Sequence, residues 1–406
     1  MKRIFLLFSI FLMFCSCKSF ANTGGKEVVG QDIYTTGKID TLMLESKYFD
    51  FKRKVFVYLP PFYPYFDSTD FDVVYTTDAQ TMEQFFMTCA LPLFQNKQKW
   101  FIVVGICSPQ TVAYSRQDDF LPNDSATIKS YYGHGGHSED LMKFVKYELM
   151  PYIRSHYRTT ERSLGVGHSL GASFMMQSLM AVDPFTDYFF LSPNLTFGKD
   201  KLLLASQFCN YKFDANKRRF LFFSDAVEER QSRSWETWKP AREMVYRYLD
   251  TKQLPGNIVW KRKSYLDYDH LTSFPMALHD TYQGYFEYID SIKSLAANDT
   301  TALSKQVYRK HIEIVVKDAK QEVYITGNQK SLGMWNPGLI KLKHINDSVR
   351  AIDVDLHLPA YFKFTLGSWK REAGFVNSYY GENLEINNTE RKNYRYVLTE
   401  WMNMED

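Results

Sequence analysis

The sequence predicts an α/β fold with a mostly parallel sheet, followed by a small all-β sandwich of immunoglobulin-like type. Three observations predict it. Short β-rich runs alternate with helical stretches from residue 41 to about residue 293. One run, Trp100-Phe101-Ile102-Val103-Val104-Gly105-Ile106, is apolar almost throughout, as a strand buried on both faces should be. Past a small polar stretch the apolar period falls to two and stays there, which marks a sandwich of strands.

The 406-residue chain is too long for one ordinary domain, and its 45% of hydrophobic residues can fill two cores. The N-terminus divides off first. Met1-Lys2-Arg3 is a basic start, and Ile4 to Phe14 is apolar apart from Ser9. A membrane span needs about 20 such residues, so residues 1–21 are expected to be a secretory signal peptide. Two cleavage sites compete. Ser19-Phe20-Ala21 suits ordinary signal peptidase, whereas Phe14-Cys15-Ser16-Cys17 resembles a lipobox that would lipidate Cys17. Either way the protein is expected outside the cytoplasm, in the periplasm or as an outer-membrane or surface lipoprotein. A lipid on Cys17 would be its one membrane contact.

Residues 41–293 carry the α/β pattern. Strands are expected at Lys54–Leu59, Phe71–Thr76, Trp100–Ile106, Arg162–Gly167, Phe189–Leu191, Arg219–Phe223 and from Asn257. Helical spacing covers Asp140–Ile153, Ser173–Val182, and stretches near 236–250 and 275–292. Residues 294–306 have a linker's composition. Residues 307–406 alternate at strand period through Ile312, Ile314 and Val316, then Val323 and Ile325, then Ile352, Val354 and Leu356.

A net charge of +3, without a basic stripe, gives no ground for nucleic-acid binding. Cys89, Cys107 and Cys209 are odd in number and match no disulfide framework or zinc spacing, so buried free thiols or one incidental bridge are expected. His134-x-x-His137 has no third ligand at a telling distance, and no metal or cofactor is expected.

The chemistry centres on Gly167-His168-Ser169-Leu170-Gly171, a Gly-x-Ser-x-Gly motif between a strand and a helix. A serine there sits on a strained turn, and the flanking glycines avoid collisions. The Leu170 N–H at the helix start is then a donor for an oxyanion. A serine hydroxyl needs a histidine base held by a carboxylate, in the order serine, acid, histidine. Of nine histidines, His270 occupies the right place, in a polar loop after the strand from Asn257 and before a helix. His168 is expected to point away from the site. The acid should follow the strand Arg219–Phe223, where Glu228 is favoured and Asp225 is the alternative. The loop Asp78-Ala79-Gln80 should give a second oxyanion donor, the N–H of Ala79 or Gln80, with Asp78 bracing the loop. Arg116 is expected to pair with Asp119, and a substrate carboxylate is its other candidate partner.

Residues 41–293 resemble the esterase family of α/β-hydrolases that includes enterochelin esterases, feruloyl and acetyl-xylan esterases and S-formylglutathione hydrolase. The resemblance rests on Val73-Val74-Tyr75 leading to Asp78-Ala79, Val103 to Ile106, Arg116 to Pro122, Glu148 to Ile153, the serine motif, Leu191-Ser192-Pro193 and Asp269-His270. It implies an α/β-hydrolase sandwich and catalytic roles for Ser169, His270 and Glu228. Ala79 and Ala172 replace family glycines, and a backbone N–H survives both changes.

The tail resembles a starch-binding, carbohydrate-binding family 20-like domain. The matching runs are Val323 to Asn328, Leu332-Gly333-Met334-Trp335-Asn336-Pro337, and Tyr361 to Trp369. The resemblance implies glucan binding near Trp335, Lys363 and Trp369; the alternative puts both tryptophans in the sandwich core. Two functions are therefore expected to compete. One is an exported serine esterase acting on a siderophore ester or an acyl- or feruloyl-decorated glycan. The other is a surface glycan-binding lipoprotein with a decayed hydrolase domain.

Overall fold

A computed structural model describes residues 37–61, 63–64, 69–94, 100–252, 254–298, 303–375 and 383–404. The expected signal peptide, Cys17 and residues 299–302 of the expected linker lie outside the described residues.

An eight-stranded sheet organises the chain up to residue 265. Its strands are β1 (Lys38–Leu44), β2 (Arg53–Leu59), β3 (Phe71–Thr76), β4 (Phe101–Ile106), β5 (Thr159–His168), β6 (Asp187–Leu191), β7 (Arg219–Ala226) and β8 (Ile258–Tyr265), in the order β1-β2-β4-β3-β5-β6-β7-β8. β2 runs antiparallel to both neighbours, and β3 to β8 pair in parallel. Side chains alternate across the sheet: Val55, Val57 and Leu59 enter one core, and Phe56 and Tyr58 enter the other.

Helices cover both faces. On the first face lie α4 (Ser138–Phe144), α5 (Met150–His156), α6 (Leu170–Ala181), α7 (Leu203–Asn210) and α8 (Lys239–Thr251), contributing Phe144, Ile153, Phe174, Phe208 and Val245. The short helices α2 (Arg116–Phe120) and α3 (Ser125–Ser130) precede them, and Phe120 joins the same core. The second face carries α1 (Glu83–Ala90) and α9 (Ser273–Asn298), with Phe85, Leu278, Tyr282 and Phe286. α9 runs past residue 293 into the first residues of the expected linker. Leu295-Ala296-Ala297 are good helix formers, and buried Ala296 anchors the last turns.

The C-terminal residues form two further sheets. One follows β11 (Ile340–Lys341), β10 (Tyr324–Gly327), β14 (Ala360–Thr365), β15 (Arg371–Gly374) and β18 (Glu400–Asn403), with β16 (Leu384–Ile386) also on β14; the other follows β12 (Lys343–Asn346), β13 (Val349–His357), β9 (Val307–Val315) and β17 (Asn393–Val397). Ile312, Ile325, Leu356, Phe362 and Tyr396 share one core between the sheets. The pairing is antiparallel except that β17 joins β9 in parallel.

Candidate active site

Ser169 stands between β5 and α6 with φ 59° and ψ −122°, a region that a side-chain-bearing residue occupies only under constraint. The constraint is visible. A Cβ on Gly167 would overlap the Gly171 backbone and lie 2.6 Å from the Ala172 nitrogen. A Cβ on Gly171 would press on Thr77 and approach Asp78 Oδ2 to 3.2 Å. The turn is pinned by Ser169 N donating to Leu191 O at 3.0 Å and by Asn194 N donating to Ser169 O at 3.2 Å. Ser169 remains partly exposed. Leu170 opens the helix, so its N–H has no intrahelical acceptor and lies at the positive end of the helix dipole.

The loop after β3 lies against this turn. Asp78 adopts a left-handed conformation, and buried Ala79 follows it. Arg116 Nε and Nη2 donate to the two Asp78 oxygens at 2.6 and 2.7 Å, and Gln80 Nε2 adds a bond at 3.1 Å. Gln80 Oε1 in turn accepts from Ser108 N at 2.9 Å. The expected Arg116–Asp119 pair is therefore not formed. Asp119 instead takes a bidentate bond from buried Arg53 at 2.8 and 2.7 Å. Arg116 spends its fork on Asp78, which braces the loop.

His270 follows β8 and is 2% exposed. Its Nδ1 faces Glu228 Oε1 at 3.6 Å, slightly beyond hydrogen-bonding range. Glu228 is fully buried just after β7 and accepts from Arg242 Nη1 at 2.7 Å. Burial alone would raise the Glu228 carboxyl, but His270 and the Arg242 charge hold it below the usual carboxylate range. Asp225 is turned elsewhere. It accepts from Ser264 Oγ at 2.9 Å, and burial raises its carboxyl.

His168 does not point away from the site. Its ring stacks on His270 at 4.4 Å between centroids, and its Nε2–H donates to the His270 carbonyl at 2.9 Å. Burial, then the neighbouring His270, push this imidazole well below its usual range, so it stays neutral. The reason for the difference is the alternation along β5: Leu164 and Val166 face the sheet side that carries α9, and His168, two residues on, meets Phe274 of α9 at 5.2 Å on that same side. Three more residues at the site belong to no motif: Arg242, Trp235 and Trp238. The tryptophans stack at 4.7 Å and set their rings edge-to-face with His270 at 4.9 and 5.2 Å. Arg242 had one visible signal, a charge within the apolar stripe Ala241, Val245, Tyr246 and Leu249.

The other expected residues lie in the C-terminal unit. Trp369 is 39% exposed, Trp335 is partly exposed, and neither belongs to the buried core. Lys363 Nζ stands 5.9 Å from the Trp369 ring and donates to Glu372 at 2.7 Å. His134 bonds Asp118 at 2.7 Å and His137 bonds Asp140 at 3.3 Å, so the two histidines serve separate carboxylates.

Residues 46–260, more than half of the chain, match the family model described as "Putative esterase". The chain belongs to this esterase family. It is accordingly an ester hydrolase acting on small-molecule esters. Comparison with curated proteins finds no match. Among solved structures, an IroE-like serine hydrolase from Shewanella oneidensis is 20% identical, covering 62% of this chain and 80% of its own, with a TM-score of 0.51. The siderophore hydrolase EstA from Aspergillus nidulans is 17% identical, covering 66% of this chain and 98% of its own, with a TM-score of 0.50. This esterase shares their α/β-hydrolase fold.

Proposed function

We propose that this esterase is an exported serine carboxylic-ester hydrolase in which Ser169 is the nucleophile, His270 the base and Glu228 the orienting acid. The observation that carries the reading is the strained Ser169 turn with His270 packed on the preceding residue and its Nδ1 facing a buried carboxylate. Since Nδ1 faces Glu228, Nε2 is the nitrogen available to the serine. Ser169 Oγ gives its proton to His270 Nε2 and bonds to the ester carbonyl carbon. The N–H groups of Leu170 and Ala79 hold the resulting oxyanion. The oxyanion collapses, the C–O bond breaks, and His270 returns the proton to the departing alcohol. Water, activated by the same imidazole, then splits the acyl-serine into free acid and enzyme.

The substrate we propose is a siderophore ester or an ester-linked acyl group on a glycan. The first follows the likeness to the siderophore hydrolase EstA. The second follows the C-terminal unit, read as an immunoglobulin-like sandwich that binds glucan. After Gly333, Met334 and Trp335 hold positive φ values of 48° and 61°, a strained loop in which Pro337 O accepts from Thr365 Oγ1 at 2.6 Å, just before the segment that carries the partly exposed Trp369. The chain before Lys38 then serves export, with or without a lipid on Cys17.

The test is hydrolysis of p-nitrophenyl acetate and butyrate by the mature protein beside Ser169→Ala. Turnover in the wild type, reduced at least about 1000-fold in the variant, supports the reading. Turnover unchanged in Ser169→Ala overturns it. Glucan retention lost in Trp335→Ala and Trp369→Ala, without turnover in the wild type, would favour the glycan-binding lipoprotein instead.

A further inference from the structure

The Glu228 carboxylate is shared unequally. Its Oε1 takes Arg242 Nη1 at 2.7 Å but stands 3.6 Å from His270 Nδ1. Ala226 N adds only long contacts, 3.4 Å to Oε1 and 3.3 Å to Oε2. None of the three side chains reaches solvent appreciably, with Glu228 at 0%, His270 at 2% and Arg242 at 3% exposure. A charge placed this close in a dry site acts on its neighbours with little screening.

The chain around these groups is built as one holder. Glu228 opens a short 3₁₀ turn, Glu228–Arg230. A second 3₁₀ stretch, Arg233–Trp238, brings Trp235 and Trp238 onto the His270 ring. α8 then returns Arg242 to the carboxylate fourteen residues later. Tyr246, one turn further along α8, faces Asp225 and Glu228, and burial pushes its hydroxyl well above the usual range, so it stays neutral. Glu229 accepts from Lys239 Nζ at 2.5 Å. The remaining charged or titratable groups facing this site are engaged elsewhere. His168 on β5 is neutral and bonded to the His270 carbonyl, and Arg116 reaches it only at a distance. Asp269 accepts from Leu271 N and from Thr272. Asp225 on β7 bonds Ser264 and feels Arg242 from the side. Arg242 is thus the cation in direct contact with the acid that faces the base.

We propose that Arg242 is a positioning residue that keeps Glu228 ionised against His270 and, through its charge, sets the pH above which His270 works as a base. This rests on the assignment of Ser169, His270 and Glu228. Electrostatics gives the sign. A fixed positive charge lowers the proton affinity of the coupled Glu228–His270 pair, so its removal must raise that affinity. Removal of the Glu228 charge, with Arg242 left in place, must lower it.

The test uses the full chain as wild type, Arg242→Gln, Arg242→Lys and Glu228→Gln. Two quantities are followed against pH: kcat/KM for p-nitrophenyl acetate, and the His270 Cε1–H signal by NMR. Arg242→Gln should move the acid limb, and the His270 titration with it, upward by about one pH unit. Arg242→Lys should restore the wild-type limb to within a few tenths of a unit. Glu228→Gln should move it downward. Loss of rate in Arg242→Gln and Glu228→Gln with both titrations unmoved would overturn the proposal and leave Arg242 a structural ion pair. If Arg242→Gln does not fold, a Glu228→Gln titration that fails to fall is enough to overturn it. An inactive wild type would count against the catalytic assignment, and the NMR titrations would still decide the effect of Arg242 on His270.

Discussion

Asp187 shows how one side chain writes a pH dependence into this fold. It begins β6, is 2% exposed, and accepts from Phe220 N and Thr186 Oγ1, each at 2.7 Å. Burial pushes its carboxyl from 3.8 up to about 6, although those bonds and Arg162 pull the other way. Between these two values the folded chain holds a proton that the unfolded chain has released. Its contribution to stability is therefore full below about pH 4 and lost as pH rises through 6, a change of about 3 kcal/mol by neutrality. Asp187→Asn has no such proton to lose. Urea denaturation from pH 4 to 7 should show its advantage over the wild type growing through this window and then levelling. Equal pH slopes for the two proteins would mean that Asp187 is charged throughout. At this scale the sequence reveals residues whose roles are local. Ser169 is marked by its own glycines, and His270 and Glu228 by the strands they follow. Arg242 is hidden because its partner lies fourteen residues away across a turn that no motif announces.

Elements carry the site through ion pairs between distant segments. Arg53 on β2 and Asp119 on α2 are 1% and 0% exposed, and Tyr114 Oη also donates to Asp119 at 2.7 Å. Their bidentate bond fixes α2 to the sheet, and α2 also bears Arg116, the brace of the Asp78–Ala79 loop. Removal of one partner strands the other charge in the core, which costs about 3–5 kcal/mol. Asp119→Ala should lose that much in urea denaturation, and the folded fraction should show a lower kcat as the loop loosens. A loss below about 1 kcal/mol would mean that Arg53 finds another acceptor. The strands themselves are legible because a parallel strand covered on both faces must be apolar almost throughout, as Phe101–Ile106 is. The ion pairs are not. Spacing on a helix suggests Arg116 with Asp119, three residues apart, whereas the fold brings in Arg53 from 66 residues before Asp119.

Across the whole molecule, β5 connects two different ends. Its C-terminal end delivers Ser169, and its N-terminal end receives the C-terminal β unit. There Glu161 N donates to Asn387 O at 2.8 Å, and Asn388 Nδ2 donates to Thr159 O. Arg162 reaches Glu385 at 2.8 Å and the Tyr361 hydroxyl at 3.3 Å. Just before β3, Asp70 accepts from Arg391 at 2.7 Å and from Tyr394 at 2.9 Å. Lys310 steadies the docking loop from behind, donating to the Asn388 carbonyl at 2.7 Å and the Arg391 carbonyl at 2.5 Å. The period of the tail foretells its strands, but docking depends on single polar residues in loops, which leave no periodic trace. An interface so rich in buried charge couples the two parts strongly, because separation leaves Arg162 and Asp70 without their partners. The full chain should therefore melt in one calorimetric transition. Asp70→Asn and Arg391→Met should each lower its midpoint, and their double-mutant cycle should give a coupling of about 1–3 kcal/mol. KM for a small ester should stay at the wild-type value in both variants, since they act at the end of the sheet opposite Ser169. Two transitions in the wild type, with only one shifted by Asp70→Asn, would mean that the β unit is tethered to the esterase rather than part of its folding unit.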